Sequence, residues 1–356
     1  MKIGIDARLL EETGVGRYIR NLLGNLSDID RTNEYVIFLR KKSYASFVLP
    51  NARWTKVCAD VSWHTLREQW VMPKLFAKET LDLVHIPYHN PPILYRGAMI
   101  VTIHDLTILH FNTGKATTLP LPLYQLKRLG YWLELFVGLR NARHVIAVSE
   151  TTKREVIDHF HIADDKITVT YEGVDTTLAH ISGPLSGAKR LIKDPYLLYV
   201  GNAYPHKNLE MLIDAVTKEK RKLVLVGNDD FFYRRLRTRV RSENVFFFGP
   251  ADDTELANLY RNATAFVFPS LMEGFGLPAL EALSFGCPVL VSDIAIFHEI
   301  VGDHATYFDP NDSASIRAAL GNIPRPGVAG RNMLLSYSWR RMAEQTLNIY
   351  ERSARL

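Results

Sequence analysis

A strand, a glycine-bearing loop, a helix and a second strand follow one another at residues 264–293 of this 356-residue chain. The short apolar run at 264–269 predicts a buried strand. Gly274 and Gly276 permit backbone conformations with positive φ, and Pro278 suits the first position of a helix. In an open parallel sheet such a loop lies where ligands bind, and the N–H groups at the helix start attract phosphate. The segment therefore predicts an anion-binding turn in an α/β fold.

Two carboxylates flank this turn, Glu273 in the loop and Glu281 in the helix. Pro278 lies between them, so they do not share one helix face, but both can line one pocket. Their oxygens would accept hydrogen bonds from separate parts of a polyhydroxylated ligand. These residues alone leave a second interpretation open, in which the loop only packs the helix on the strand and Glu273 is solvated.

The string from Glu273 to Glu281, Glu-Gly-Phe-Gly-Leu-Pro-Ala-Leu-Glu, resembles the Glu-seven-residues-Glu motif of the family 4 retaining glycosyltransferases. The resemblance implies the GT-B fold and nucleotide-sugar chemistry. It also implies that Glu273 lies near the donor sugar and that Glu281 holds the ribose. The backbone that would face the sugar and the diphosphate is that of Gly274, Phe275, Gly276 and Leu277.

The length of the chain predicts two domains, because 356 residues exceed one ordinary hydrophobic core. Apolar strands alternate with helices, which predicts doubly wound parallel sheets. We expect a Rossmann-like acceptor-side domain at 1–175, a linker at 176–194 and a nucleotide-sugar-binding Rossmann-like domain at 195–337. The tail from about 338 to 356 resembles the family's terminal helix, which crosses back to the first domain. The resemblance places the active site in the interdomain cleft.

Charge and hydropathy limit the partners of the chain. The net charge of +5 is compatible with nucleotide phosphates, nucleic acid or an anionic membrane surface. The basic runs at 218–222 and 234–241 lack the spaced aromatic residues of a single-strand binding platform, so we expect solvated faces and no nucleic-acid partner. No run of about eighteen apolar residues and no signal-peptide pattern occurs, which predicts a cytoplasmic protein. Cys58 and Cys287 are expected to be reduced and buried.

A glycine turn also follows the first predicted strand. Thr13-Gly14-Val15-Gly16 precedes a helical pattern of apolar residues, but it is Gly-x-Gly without the third glycine, so the dinucleotide-binding fingerprint is incomplete. Gly14 and Gly16 still permit a phosphate near the amides of a helix start. The resemblance implies that this loop closes over the donor diphosphate. A plain strand-to-helix turn is the alternative.

His104 follows the apolar run at 99–103, at the carboxyl end of a predicted strand. A histidine there could donate a hydrogen bond to a developing charge or to a sugar hydroxyl. The alternative is that His104 only satisfies loop amides. The family has a histidine after the corresponding strand, so the resemblance favours a position near the donor sugar. His85 and His89 have no clear family counterpart, and we expect them on the acceptor side.

A third strand, glycine turn and helix start carries Lys207. A lysine at that position supplies a point charge for a diphosphate, which is the role that the resemblance implies. Many family members carry an arginine five residues earlier, where this chain has Asn202, and Arg17 could supply the missing charge. A second departure is Glu172, which stands where the family's Asn-Gly-Val-Asp has asparagine.

Apolar residues recur on a helical period at 113–142, broken by Lys127, Arg128 and Glu134. Such a helix packs its apolar stripe on a sheet in most proteins. A peripheral contact with the inner face of the cell membrane is the alternative, because lysine, arginine, tyrosine and tryptophan suit a membrane interface and related enzymes often act on lipid-linked acceptors.

Together with the resemblance, which implies retention of anomeric configuration, these features predict a transferase that moves a sugar from a nucleoside diphosphate sugar to a hydroxyl of a glycan or lipid-linked acceptor. The strings at 5–8 and 205–209 resemble mannosyltransferases of polysaccharide assembly, so GDP-mannose is the expected donor and a UDP-glucose-type donor the alternative. The residues also leave room for a non-catalytic nucleotide-sugar-binding protein, an epimerase or a glycan phosphorylase. Asp28-Ile29-Asp30 is a poor metal site, and we expect neither a metal nor another cofactor.

Overall fold

The computed structural model describes residues 1–110, 121–174, 190–325 and 331–354. The chain divides into two compact units. Unit 1 comprises Met1–Gly173 and Trp339–Leu356, and unit 2 comprises Val174–Ser338. Most of the predicted linker at 176–194 lies outside the described residues. Each unit contains a parallel sheet whose strands are connected through helices, so the predicted α/β fold class is confirmed.

Unit 1 is built on a parallel sheet of seven strands within the described residues. In chain order the strands are β1 (Lys2–Asp6), β2 (Glu34–Leu39), β3 (Trp54–Cys58), β4 (Leu83–Ile86), β5 (Met99–Ile103), β6 (His144–Ala147) and β7 (Ile167–Val169). The helices are α1 (Gly14–Ile29), α2 (Lys41–Ser46), α3 (Leu66–Lys78), α4 (Thr107–His110), α5 (Leu121–Asn141), α6 (Glu150–Phe160) and the C-terminal α14 (Trp339–Ala354). The spatial order is β3-β2-β1-β4-β5-β6-β7. This order reverses between β1 and β4, which is where open α/β sheets bind ligands.

Unit 2 repeats this arrangement with six parallel strands among the described residues. They are β8 (Leu197–Val200), β9 (Leu223–Val226), β10 (Val245–Gly249), β11 (Ala265–Phe268), β12 (Val289–Ser292) and β13 (Thr306–Phe308). The helices are α7 (Leu209–Lys218), α8 (Phe231–Arg239), α9 (Asp253–Asn262), α10 (Leu277–Ser284), α11 (Ala295–Ile300), α12 (Ser313–Gly321) and α13 (Arg331–Leu335). The spatial order is β10-β9-β8-β11-β12-β13, so the switch point lies between β8 and β11.

The C-terminal helix α14 packs against α1 and is hydrogen-bonded to the sheet of unit 1. It packs along α1, where Trp339 meets the edge of the Tyr18 ring at a centroid distance of 6.5 Å. Tyr350 Oη lies 2.6 Å from Nδ1 of His85 in β4, and Thr102 Oγ1 lies 2.7 Å from Nε2 of the same ring. Burial lowers the pKa of His85 to about 3, so the ring is neutral and serves as a structural connector.

The edge strand β3 was not predicted from the sequence. Its run Trp-Thr-Lys-Val-Cys mixes polar and apolar residues and only Trp54 is buried, so it lacks the continuous apolar pattern of the buried strands. Cys58 is the last residue of β3 and is exposed, whereas Cys287 is buried; both are free. The prediction that both cysteines are buried is therefore wrong for Cys58.

Helix α5 has one buried face and one exposed apolar face. Tyr131, Leu135 and Leu139 belong to the core of unit 1. On the other side, Leu126 is 65% exposed and Leu129 is 62% exposed. Among the described residues, no helix combines the length and the apolar character that crossing a membrane requires. The packing interpretation therefore accounts for only one side of this helix.

Candidate active site

The two residues predicted to lie closest to the donor in unit 2 contact each other. Lys207 ends a short 3-10 turn, Pro205–Lys207, which follows β8, and Glu273 lies in the loop that follows β11. The Lys207 ammonium donates to Oε1 of Glu273 across 2.6 Å, and the side chains are only 12% and 10% exposed. Since β8 and β11 are neighbours at the switch point, this ion pair lies at the carboxyl edge where a doubly wound sheet binds its ligand.

Contacts within unit 2 hold this ion pair in place. Ser270 Oγ donates to Oε1 of Glu273 across 2.6 Å, and the Lys207 ammonium lies 5.4 Å from the centre of the Phe268 ring. The amide of Leu271 donates to the carbonyl of His206 across 2.8 Å, which ties the two loops together. Sequence reasoning did not select Ser270 or Phe268. The only local signal was the Ser-x-x-Glu spacing.

The loop after β11 reaches α10 through a glycine that no other residue could replace without strain. Gly276 has φ of +96°, and a Cβ at this position would lie 2.9 Å from the Phe297 ring. The helix begins at Leu277 with Pro278 in its second position, and no side chain of the described residues caps it. The first-turn N–H groups therefore keep the character of an anion-binding helix start. Phe275 is buried, with its ring edge-on to Tyr337 at a centroid distance of 5.7 Å.

Glu281 and Glu273 accept hydrogen bonds from different residues of unit 2. Glu281 is buried in α10, and its Oε2 accepts a hydrogen bond from Tyr260 Oη across 3.1 Å. Tyr260 lies in α9 and stacks on Phe285 at a centroid distance of 5.6 Å. Sequence reasoning did not identify Tyr260, because it lies 21 positions away from its partner. The ribose-binding role of Glu281 stays a prediction.

Asn202 supports the turn after β8 instead of presenting a charge. Its Oδ1 accepts from the amide of Tyr204 at 3.3 Å, and its carbonyl accepts from Tyr199 Oη at 2.7 Å. Gly201, just before it, has φ of +151°. The position at which family members carry an arginine therefore serves turn geometry here.

The two glycines of the N-terminal loop have different surroundings in unit 1. A Cβ on Gly16 would lie 2.6 Å from the Leu10 carbonyl and 2.9 Å from that of Leu9, so close backbone packing requires a glycine. A Cβ on Gly14, at the start of α1, would have no atom of the described part of the chain within 4 Å. Gly14 is thus the more open of the two positions, and donor binding by this loop stays a prediction.

His104 is buried at the carboxyl end of β5, and both of its ring nitrogens are engaged. Nδ1 lies 3.0 Å from Oε1 of Glu172, and Nε2 lies 3.1 Å from the carbonyl of Pro87. The Tyr18 ring meets it edge-on at a centroid distance of 4.8 Å. The ring nitrogens therefore contact a carboxylate and a carbonyl and not loop amides, and a position of His104 near the donor sugar stays a prediction.

His89 was expected on the acceptor side, and that role stays a prediction. The ring is 2% exposed, lies against Tyr88 at a centroid distance of 3.6 Å and stacks on His64 at 5.5 Å. Burial lowers the pKa of His89 to about 3, so it is neutral. Within the described residues, neither ring nitrogen has a hydrogen-bond partner.

Comparison with known proteins decides the family. Residues 13–178 match the domain family described as Glycosyltransferase Family 4, and residues 188–323 match the family described as Glycosyl transferases group 1. The chain belongs to the family 4 glycosyltransferases. It is therefore an enzyme of the transferase class, and the interpretation as a non-catalytic binding protein is set aside.

Individual relatives agree with this assignment. The O-antigen chain mannosyltransferase RfbU of Salmonella typhimurium is 26% identical, over 94% of this chain and 95% of the relative. The O-antigen chain mannosyltransferase B of Escherichia coli is 28% identical, over 95% and 96%. Among solved structures, a sucrose-phosphate synthase from Thermosynechococcus elongatus superposes with a TM-score of 0.76 at 20% identity, covering 99% and 98% of the two chains. The glycosyltransferase therefore has the GT-B fold.

Proposed function

We propose that this glycosyltransferase moves mannose from GDP-mannose to a hydroxyl of a glycan or lipid-linked acceptor, with retention of anomeric configuration. The observation that carries the proposal is the ion pair between Lys207 and Glu273 at the switch point of unit 2, in the loop that leads to the start of α10. A lysine and the N–H groups of a helix start suit a diphosphate, and a carboxylate suits sugar hydroxyls.

In this mechanism the bond between the anomeric carbon and the diphosphate oxygen breaks, and a bond between that carbon and the acceptor oxygen forms. The acceptor proton passes to the departing diphosphate. Lys207 and the first-turn N–H groups of α10 stabilise the negative charge that develops on the diphosphate. Glu273 and His104 hold the sugar. Glu273 is thus a positioning group for the sugar ring and forms no covalent bond to it.

The leaving diphosphate needs no metal ion in this proposal, because Lys207 and backbone amides supply the positive charge. The Asp-x-Asp string at 28–30 supports a metal-free mechanism, because the carboxylate of Asp30 is already hydrogen-bonded to residues of its own loop and of β2. Its Oδ2 accepts from Tyr35 Oη at 2.6 Å and from Asn33 Nδ2 at 2.7 Å. Its Oδ1 accepts from the amide of Thr32 at 2.9 Å. These hydrogen bonds hold the pKa of Asp30 at about 2 although burial alone would raise it.

Mannose as the sugar is supported by the names of the O-antigen mannosyltransferases that align with nearly the whole chain. We test it by thermal shift with GDP, UDP and ADP, and then by transfer from GDP-mannose and UDP-glucose with and without a chelator. GDP at about 100 times its Kd should add about 2.7 kcal/mol of stability, and UDP should add none. Transfer should persist in the chelator, and the product should keep the α configuration of the donor. A shift with UDP alone would replace GDP-mannose by the UDP-glucose-type donor.

We also propose a peripheral membrane contact through the exposed face of α5. Leu126 and Leu129 lie one turn apart, Trp132 is 36% exposed one further turn along, and Lys127 is also exposed. Exposed apolar residues with a basic residue close by suit an anionic lipid surface. Wild-type protein should float with anionic vesicles, and Leu126→Asp combined with Leu129→Asp should not. Leu335→Asp, at a leucine of unit 2 that is 62% exposed, is the matched control and should float.

A further inference from the structure

The carboxylate of Glu172 is the distinctive neighbour of His104. Glu172 follows β7 and His104 follows β5, 68 positions apart in the chain. Oε1 and Nδ1 lie 3.0 Å apart, and the side chains are 7% and 10% exposed. A short, nearly buried contact of this kind is a charge-assisted hydrogen bond if the pair is ionised.

The two contacts of the His104 ring require one proton more than a neutral histidine and an ionised Glu172 would carry together. The Pro87 carbonyl can only accept, so Nε2 of His104 must donate across the 3.1 Å contact. Nδ1 then faces Glu172, and that contact needs a proton of its own. With this proton on Nδ1, the contact joins an imidazolium to a carboxylate, which makes it a charge-assisted hydrogen bond.

Other histidines of unit 1 show that burial alone does not give a histidine a proton on both ring nitrogens. His85 contacts the hydroxyls of Tyr350 and Thr102, and burial lowers its pKa to about 3. His64 has a carboxylate partner as well, Glu134, across 3.2 Å. The pair of Glu134 and His64 is thus a matched internal control.

We infer that Glu172 is a positioning residue for sugar transfer, which keeps His104 doubly protonated and fixes its ring so that Nε2–H is the donor available to the sugar. This inference rests on the proposed function, in which His104 contacts the donor sugar. Nδ1 is committed to Glu172, so only Nε2 can serve a substrate, by exchanging its bond to the Pro87 carbonyl. The ion pair offers a strong donor with no net charge, which matters because a positive charge beside an oxocarbenium-like sugar would oppose the reaction.

The protonation state is measured directly by NMR on the 356-residue protein labelled with ¹⁵N at its 12 histidines. The His104 signals are assigned by their loss in His104→Gln. In the wild type both nitrogens should show the shifts of an imidazolium. In Glu172→Gln, which preserves the shape of the side chain, His104 should become a neutral ring with one proton. Glu134→Gln should leave the His104 signals in place. A neutral His104 in the wild type, or no change in Glu172→Gln, would overturn the inference without reference to catalysis.

Coupling between the two residues is measured by a double-mutant cycle on kcat/KM. Glu172→Gln should lower kcat/KM about 10- to 100-fold, the effect of one charge-assisted hydrogen bond. In a His104→Gln background the same change should have less than about a threefold effect. Independent, additive losses would show that Glu172 only supports its loop and would refute the positioning role. Full activity in His104→Gln alone would refute the role of His104 in the proposed function, while the NMR result would still report on the ion pair.

Discussion

Lys207→Ala is expected to lower the rate of sugar transfer about 100- to 1,000-fold, because in the proposed mechanism the leaving diphosphate loses the positive charge of Lys207. Glu273→Gln should lower the rate by a comparable factor. The glutamine is the same size as glutamate and can still accept from Ser270, but it leaves the ammonium of Lys207 without a negative partner. Both effects are measured as kcat and KM for the donor in the same transfer assay.

A purely structural ion pair would behave differently, and three comparisons distinguish the two cases. Lys218→Ala is the matched control, because Lys218 contacts Asp214 across the same 2.6 Å in unit 2 but the two side chains are 53% and 45% exposed. It should keep wild-type transfer. If the buried pair only stabilised the fold, removing both charges in Lys207→Ala with Glu273→Gln would restore stability and transfer together. We expect stability to recover in part and transfer to stay low. Wild-type transfer rates in either single variant would refute the assignment of Lys207 and Glu273 to the active site.

The α/β fold class could be predicted from the sequence because its signals are local. In 264–293 the apolar run, the two glycines, the proline and the closing turn each act within a few residues of the structure they specify. The observed elements, β11 at Ala265–Phe268 and α10 at Leu277–Ser284, follow that pattern closely. Gly276 is the clearest case, since a φ of +96° strains any residue that carries a side chain.

The contacts that organise the candidate site could not be predicted in the same way. Lys207 and Glu273 are 66 positions apart, and His104 and Glu172 are 68 apart. Each pair meets because strand order brings two carboxyl ends to one edge of a sheet, and strand order is not encoded near either residue. Glu172 was noticed only as a departure from the family's asparagine. A charged residue where the family has a neutral one can therefore indicate a buried ion pair, provided that its partner can be identified.

Arg8→Met is expected to destabilise unit 1 by about 3–5 kcal/mol, because it removes the cation from a buried cluster of carboxylates. Arg8 donates to both oxygens of Asp6, across 2.8 Å and 2.6 Å, and also contacts Glu68. Burial alone would lower the pKa of Arg8, but Asp6 and Glu68 outweigh it and raise the pKa. Burial also raises the pKa of Glu68, whose side chain is fully enclosed. Without Arg8, a carboxylate must be buried unpaired or take up a proton.

The five tryptophans make this loss measurable in one unit. They stand at 54, 63, 70, 132 and 339, all within unit 1, so denaturant unfolding followed by tryptophan fluorescence reports on that unit. Arg40→Met is the control, because Arg40 contacts Asp60 across 3.6 Å with side chains 39% and 53% exposed, and it should cost less than about 0.5 kcal/mol. Adding Asp6→Asn to Arg8→Met should recover part of the loss, since one unpaired charge is removed. A cost below about 1 kcal/mol for Arg8→Met would contradict the account of this cluster. A large cost would show that Arg8, in the string Ile5-Asp6-Ala7-Arg8 that resembles mannosyltransferases, stabilises the fold whichever sugar is transferred.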